Sequence, residues 1–225
     1  MKIGFFGGSF DPPHRGHIAL ARLAMERLGL DRVLFAPAGV QPLKRDRAEA
    51  AFSDRVAMTR LAIEREPGFQ ISLIDAPHAD GLPNYTVDTI RSLRATLAHD
   101  DQIFCLMGAD AFLSIGEWYR AADLLLACDF VVAARPGFDL GRLTAALPAA
   151  ISVASCDDAA LSGALVLCLH GARGESRLYL LPDLDIDASA SSVRASLGQG
   201  GDMPAILDPA VAAWIRDRRL YREGA

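Results

Sequence analysis

The chain has 225 residues, of which 51% are hydrophobic and 23% charged, and its formal net charge is −5 at pH 7. This composition excludes a disordered chain, and without a basic excess long nucleic acids are not expected as partners. Neither a signal peptide nor an apolar run of membrane-spanning length is apparent. The sequence therefore predicts a cytoplasmic protein that does not bind membranes and forms one domain over residues 1–225.

The four cysteines, Cys105, Cys128, Cys156 and Cys168, form neither a CxxC pair nor a metal-ligand spacing. Three of them lie beside apolar residues of predicted strands or helix ends. The sequence therefore predicts buried free thiols, which suit a reducing compartment.

The most informative stretch lies near the start of the chain, between a predicted buried strand (residues 3–6) and a predicted helix (residues 18–28). It runs Gly7-Gly8-Ser9-Phe10-Asp11-Pro12-Pro13-His14-Arg15-Gly16-His17. This order places backbone N–H groups and two imidazoles at a helix N-terminus, where bound phosphate is favoured. Zinc binding is the weaker alternative, because the His-Glu-x-x-His spacing and a third nearby ligand are missing.

Strands and helices alternate along the rest of the chain. Strands are predicted at residues 32–36, 69–74, 102–107, 130–134 and 178–181. Helices are predicted at 52–66, with Ser53 as a cap, in a stretch that follows residue 84 and ends at about 97, and around 210–215. Residues 138–177 show no pattern that carries chemistry, and no linker marks a second domain.

Several polar residues stand where a predicted strand ends, the place at which α/β proteins collect ligands. Gly108 and Asp110 follow one strand, although Asp110 could be only a helix cap. Arg135 follows the next strand and is placed to meet phosphate or adenine. The run 188–194, Ala-Ser-Ala-Ser-Ser-Val-Arg, opens a helix whose hydroxyls and arginine can hold phosphates, with a serine-rich cap as the alternative.

The glycine–histidine block and the serine–arginine run resemble the two signatures of the nucleotidyltransferase superfamily that carries a His-x-Gly-His tetrad. Tyr85-Thr86-Val87-Asp88-Thr89, Trp118 and Arg135-Pro136-Gly137 are similar to the nicotinate-nucleotide adenylyltransferase branch. Ser191 stands where many relatives carry Thr, which preserves the hydroxyl. The resemblance implies an α/β, Rossmann-like, doubly wound fold: a mainly parallel sheet with helices on both faces.

The resemblance also implies roles for residues. The catalytic pair is His14 and His17. The residues expected to bind ATP and its phosphates are Gly7, Gly8, Ser9, Phe10, Lys44, Gly108, Asp110, Arg135, Ser191 and Arg194. Tyr85, Thr86 and Trp118 are expected to bind the acceptor. Plainer alternatives are a solvated charge for Lys44, capping for Tyr85 and Thr86, and core packing for Trp118.

The reaction implied is in-line, non-covalent adenylyl transfer from ATP, with Mg²⁺, to nicotinate mononucleotide. Because a phosphate nucleophile is already ionised, positioning and charge stabilisation are enough. Other acceptors stay open: the amidated mononucleotide, phosphopantetheine, or a phosphorylated alcohol taking CMP from CTP. A non-catalytic nucleotide-binding regulator is the alternative from another class. The role of Asp11, positioning Mg²⁺ or fixing the loop, and the oligomeric state are left open.

Overall fold

A computed structural model describes residues 1–41, 49–134, 139–156, 164–182, 184 and 189–222. In this part of the chain eight strands form one sheet in the order β3-β2-β1-β4-β5-β8-β7-β6. The strands are β1 (Lys2–Gly8), β2 (Arg32–Pro37), β3 (Phe69–Ile71), β4 (Gln102–Gly108), β5 (Asp129–Ala133), β6 (Ser152–Ser155), β7 (Leu165–Gly171) and β8 (Gly174–Leu181). The expected α/β fold with a mainly parallel sheet is confirmed.

The sheet changes direction of growth at β1. From β1 the chain moves outward through β2 to β3, and it then returns to the other side of β1 as β4. The six neighbouring strands β3, β2, β1, β4, β5 and β8 run parallel to one another. Beyond β8, at one edge of the sheet, β7 pairs antiparallel with β8 and β6 pairs antiparallel with β7. A parallel sheet leaves a crevice at such a reversal, beyond the carboxyl ends of the two strands. Here those ends are Gly8 and Gly108.

The described helices connect the strands and close the chain. They are α1 (Arg15–Leu28), α2 (Phe52–Ile63), α3 (Thr86–Ala95), α4 (Ala109–Phe112), α5 (Ala121–Leu125), α6 (Leu140–Ala145), α7 (Ala190–Gly198) and α8 (Pro209–Asp217), with a 3₁₀ turn at Ile115–Glu117. None of the helices in the described ranges is long and apolar enough to cross a membrane.

The central strands are buried on both faces, as their nearly continuous apolar sequences require. In β4, Ile103 and Cys105 point to the face covered by α3, α4 and α5, whereas Phe104 and Leu106 point to the face covered by α1. A third apolar cluster joins α2, α7 and α8 beside the sheet. This cluster packs α7 and α8 against α2.

Two predicted elements end three residues earlier in the structure. The strand predicted at 69–74 ends at Ile71, because the Ser72 hydroxyl accepts a hydrogen bond from the Ile74 N–H (3.3 Å) and the chain turns. The helix predicted at 52–66 ends at Ile63. The prediction that Ser53 caps it is wrong, since the helix begins at Phe52 and the cap position is Ala51.

The prediction of free thiols is wrong for two of the four cysteines. Cys156 and Cys168 form a disulfide, with 5.5 Å between their Cα atoms, whereas Cys105 and Cys128 are free and buried. The antiparallel pairing of β6 with β7 sets Ala154 opposite Cys168 and brings Cys156 within reach. The sequence of residues 138–177 did not reveal these strands, so their pairing was not foreseen.

Candidate active site

A cavity of about 770 Å³ lies at the carboxyl ends of β1 and β4, at the point where the sheet reverses its order. This volume is within the range of small-molecule sites. The loop after β1 and the junction of β4 with α4 supply one part of its wall, namely Gly7, Gly8, Ser9, Gly108, Ala109 and Asp110. The cavity therefore stands where the strand–glycine motifs of the sequence predicted a ligand.

His14 and His17 lie on the cavity wall at the start of α1. Their rings are stacked, with centroids 3.7 Å apart. Nδ1 of His17 accepts a hydrogen bond from the His14 N–H (3.1 Å), which leaves the proton of a neutral His17 ring on Nε2. Both imidazoles are thus held at a helix N-terminus.

Burial keeps the His14 ring neutral. The side chain is buried, and desolvation lowers its pKa from 6.5 to about 4. Nδ1 of His14 has no hydrogen-bond partner in the described part of the chain. A buried polar atom of this kind on the wall of a cavity can be satisfied by a bound ligand.

Aromatic side chains form a second region of the cavity wall. The rings of Tyr85 and Tyr119 have centroids 4.3 Å apart. Trp118 lies beside them and donates from Nε1 to the Ser114 hydroxyl (3.1 Å), which fixes the plane of its indole ring. Flat rings held in this way provide a stacking surface for an aromatic ligand.

A buried carboxylate, Asp75, lies beside this aromatic region. Burial raises its pKa from 3.8 to about 6, although the hydrogen bond donated by the Thr89 hydroxyl (2.6 Å) opposes the shift. Asn84 joins the same loop to the segment after β2 by donating to the Ala76 carbonyl (2.9 Å) and accepting from the Val40 N–H (3.0 Å). These bonds hold the segment that leads into Tyr85 and Thr86.

The loop after β1 is held from outside the cavity. Nη1 of the buried Arg55, on α2, donates to the Ser9 carbonyl (2.7 Å), and Nη1 of Arg194, on α7, donates to the Asp11 carbonyl (2.9 Å). Asp11 is only 2% exposed, and its carboxylate accepts from the backbone N–H groups of Glu49 and Ala50, just before α2, at 2.8 and 3.2 Å. These bonds show that Asp11 fixes the loop, and its second suggested role, positioning Mg²⁺, stays a prediction.

The structure brings most of the predicted site residues to the cavity. They are Gly7, Gly8, Ser9, His14, His17, Tyr85, Thr86, Gly108, Asp110 and Trp118. Phe10 is not among the lining residues: it is 1% exposed, and its ring packs against His17 at a centroid distance of 5.0 Å. The Phe10 ring thus supports the His17 ring from behind, and its predicted part in phosphate binding stays a prediction.

Two further predictions concern α7. Ser191 is exposed in the first turn of this helix, and Nε of Arg194 is paired with Glu49 (2.7 Å). Neither residue is among those that line the cavity. Arg194 nevertheless donates to the Asp11 carbonyl, so α7 lies next to the loop after β1. The predicted residues Lys44 and Arg135 lie outside the described residues.

Sequence reasoning missed Asp75, Asn84 and Tyr119 on the cavity wall, and Arg55 behind it. The sequence did offer a signal for Tyr119, because it directly follows Trp118, a residue predicted to bind the acceptor. No local pattern marked the other residues, because their contacts depend on how distant segments pack.

The fold and the cavity define an α/β protein of the nucleotide-binding class, with its cavity at the reversal of strand order. The chain belongs to the cytidylyltransferase-like family, whose model matches residues 5–195.

Relatives of the chain resemble it over its whole length. It is 38% identical to a probable nicotinate-nucleotide adenylyltransferase from Solibacter usitatus, with 98% of this chain and 100% of the relative covered. A protein of the same name from Laribacter hongkongensis is also 38% identical, with 99% and 95% covered. Among solved structures, the nicotinic acid mononucleotide adenylyltransferase of Plasmodium falciparum, complexed with NaAD, matches this chain with a TM-score of 0.69 at 17% identity. The match covers 98% of this chain and 97% of that chain. This last similarity concerns the fold.

Proposed function

We propose that the chain transfers the adenylyl group of ATP to nicotinate mononucleotide, giving the deamido dinucleotide and pyrophosphate, as a step of NAD biosynthesis. The observation that carries this proposal is one cavity with a histidine pair at one part of its wall and an aromatic cluster at another. The full-length relatives named nicotinate-nucleotide adenylyltransferase support the same reaction.

In this proposal the 5′-phosphate of the mononucleotide attacks the α-phosphorus of ATP in line, and pyrophosphate leaves on the opposite side. The P–O bond to the β-phosphate breaks as the new P–O bond forms. The nucleophile is an anion at neutral pH, so the site needs no strong base. Its contribution is to align the two substrates and to stabilise charge on the leaving group.

His14 and His17 serve as hydrogen-bond donors to the α- and β-phosphates. A neutral imidazole has one N–H to donate, and on His17 this is Nε2, since Nδ1 is already an acceptor. Gly7, Gly8 and Ser9 line the cavity, and in this proposal their N–H groups hold phosphate at the end of β1. The phosphate charge also favours protonation of His14, which opposes the effect of burial on its pKa.

The aromatic cluster receives the pyridine ring of the acceptor. Trp118 is held by its bond to Ser114, so its indole face is a prepared stacking surface. Thr86 begins α3 beside it and offers a hydroxyl to the ring carboxylate. Gly108 and Asp110, at the junction of β4 and α4, face the nucleoside of ATP. Lys44, Arg135, Ser191 and Arg194 complete the phosphate side in this proposal.

Mg²⁺ is part of the proposal and would enter with ATP. This ion keeps several waters and takes most of its remaining ligands from phosphate oxygens, so few protein ligands are required. Asp110, exposed on the cavity wall, is the carboxylate suited to hold one of its waters. Bound Mg²⁺ would neutralise part of the charge on the phosphates.

The test is pyrophosphate release by the purified protein with Mg²⁺ and ATP. Nicotinate mononucleotide, its amide and phosphopantetheine are supplied in parallel as acceptors. We expect kcat/KM to be at least about tenfold higher for the acid, a preference of about 1.4 kcal/mol. Preference for another acceptor would show that the proposed acceptor is wrong. ATP binding without turnover of any acceptor would indicate a non-catalytic nucleotide-binding regulator.

A histidine variant tests the catalytic assignment. We expect His17→Ala to lower kcat by about 10²–10³, because a donor to the transition state is lost. His99→Ala is the matched control, since the His99 side chain is fully exposed and is not among the lining residues. A His17→Ala enzyme within tenfold of the wild type would show the mechanism to be wrong.

A further inference from the structure

Tyr221 links the end of the described chain to the loop that precedes the histidine pair. It follows α8 and has a left-handed backbone, with φ of 63°. Its hydroxyl donates to Oδ1 of Asp11 at 2.7 Å, a contact between residues 210 positions apart. Burial and the neighbouring Asp11 carboxylate both raise the pKa of Tyr221, so the hydroxyl keeps its proton and acts as the donor.

Asp11 is the point where several segments meet. The carboxylate accepts from the N–H of Glu49 (2.8 Å) and of Ala50 (3.2 Å), in addition to the Tyr221 hydroxyl. The Asp11 carbonyl accepts from Arg194. A buried carboxylate requires such partners, and losing one of several leaves it underbonded and free to shift.

A shift of Asp11 would reach His14 directly. Only Pro12 and Pro13 separate the two residues, and the proline rings fix φ, so this connection has little freedom to absorb movement. Nδ1 of His14 has no hydrogen-bond partner in the described ranges. The position of the His14 ring therefore depends on its backbone, on the capping-box arrangement with His17 at the start of α1 and on stacking against the His17 ring.

We propose that Tyr221 is a positioning residue for the reaction: its hydroxyl fixes the Asp11 carboxylate and thereby places His14 against the substrate phosphates. This inference rests on the proposed function and adds to it a residue outside the cavity. The phenyl ring packs with α7 and α8, a role that phenylalanine could fill. The hydroxyl is what reaches the catalytic loop.

The test is Tyr221→Phe, which removes the hydroxyl and keeps the ring. We expect kcat to fall about tenfold, with KM for ATP and for the mononucleotide within about twofold, because a misplaced His14 weakens the transition state more than ground-state binding. A double variant with Asp11→Asn should lose no more than the worse single variant, since Tyr221 acts through Asp11.

The matched control is Trp214→Phe. Trp214 belongs to the same C-terminal segment and donates from Nε1 to a carboxylate on α2, Asp54, at 3.1 Å. Replacing Trp214 by phenylalanine removes this hydrogen bond, which is comparable with that of Tyr221 but does not involve the loop after β1. We expect Trp214→Phe to lower the melting temperature about as much as Tyr221→Phe does, while kcat stays within about twofold of the wild type.

A second readout does not depend on turnover. The pKa of the His14 ring, followed by NMR, should rise toward its ordinary value in Tyr221→Phe but not in Trp214→Phe, because a displaced ring loses part of the burial that lowers this pKa. An unchanged kcat and titration in Tyr221→Phe, or equal effects in both variants, would overturn the inference. A wild-type protein without pyrophosphate release would refute the proposed function, and the titration would still decide the role of Tyr221.

Discussion

At the scale of single residues, the buried Asp75 carboxylate sets a pH dependence of stability. Its pKa is about 6 in the folded protein, against 3.8 as its ordinary value, because the side chain is buried. Between these values the folded state keeps a proton that the unfolded state has released. The stability cost of ionising Asp75 therefore grows as the pH rises through this range and is constant above it.

We predict that Asp75→Asn stabilises the protein, by about 1 kcal/mol more at pH 8 than at pH 5. The amide oxygen can still accept from the Thr89 hydroxyl, so the change removes the charge and keeps the contact. The measurement is urea unfolding of both proteins at the two pH values. A difference between them that does not vary with pH would contradict the assignment of Asp75.

At the scale of elements, a substitution at the junction of β4 and α4 is expected to change ligand binding without lowering the stability of the fold. Gly108 has φ of −76° and ψ of 155°, which any residue adopts, and an added Cβ meets nothing within 4 Å. We predict that Gly108→Ala leaves the free energy of unfolding unchanged or about 0.4–1 kcal/mol higher. In the proposed binding mode the methyl group would enter space that the nucleotide needs, so KM for ATP should rise about tenfold, or about 1.4 kcal/mol.

A second glycine provides the contrast. An added Cβ on Gly39 would lie 2.5 Å from Oδ1 of Asn84 and 2.6 Å from the backbone of Pro77. Gly39→Ala should therefore lower the melting temperature. Steady-state kinetics and thermal melts of both variants check the pair, and an unstable Gly108→Ala protein would show that the junction serves the fold.

Elements also show what sequence could and could not predict. The central strands were found because they are continuous apolar runs closed by glycine or proline, as in β1, β2 and β4. All four residues of β6 are exposed, so no hydrophobic pattern marked this strand. Its pairing with β7, and hence the disulfide of Cys156 and Cys168, follows only from the assembled sheet edge.

At the scale of the whole molecule, the same contrast appears in the site. The stretch from Gly7 to His17 was predictable because its chemistry lies in consecutive residues between a strand and a helix. Contacts that join distant positions were not: Arg55 reaches Ser9 across 46 positions, and Tyr221 reaches Asp11 across 210. Such bonds leave no periodicity or local motif, since they are set by packing of α2, α7 and α8 into one cluster.

The cavity joins two regions of the molecule, and ligands that occupy both should stabilise it most. A ligand at about 100 times its Kd adds about 2.7 kcal/mol to the free energy of unfolding, which for a chain of this size is about 5–10 °C in Tm. We predict that, at equal concentration, the deamido dinucleotide raises Tm more than ATP or nicotinate mononucleotide alone. Its adenosine phosphate would contact the His14 and Gly108 side while its pyridine ring stacks on Trp118.

Trp118→Leu tells the two regions apart, because it removes the flat ring while keeping apolar volume in a half-buried position. Thermal melts of this variant should keep the shift caused by ATP and lose most of the shift caused by the mononucleotide. The dinucleotide shift should then fall to about that of ATP, since only its adenylyl half still binds fully. If the variant lost the ATP shift as well, Trp118 would support the whole cavity and the acceptor region would have to be placed elsewhere.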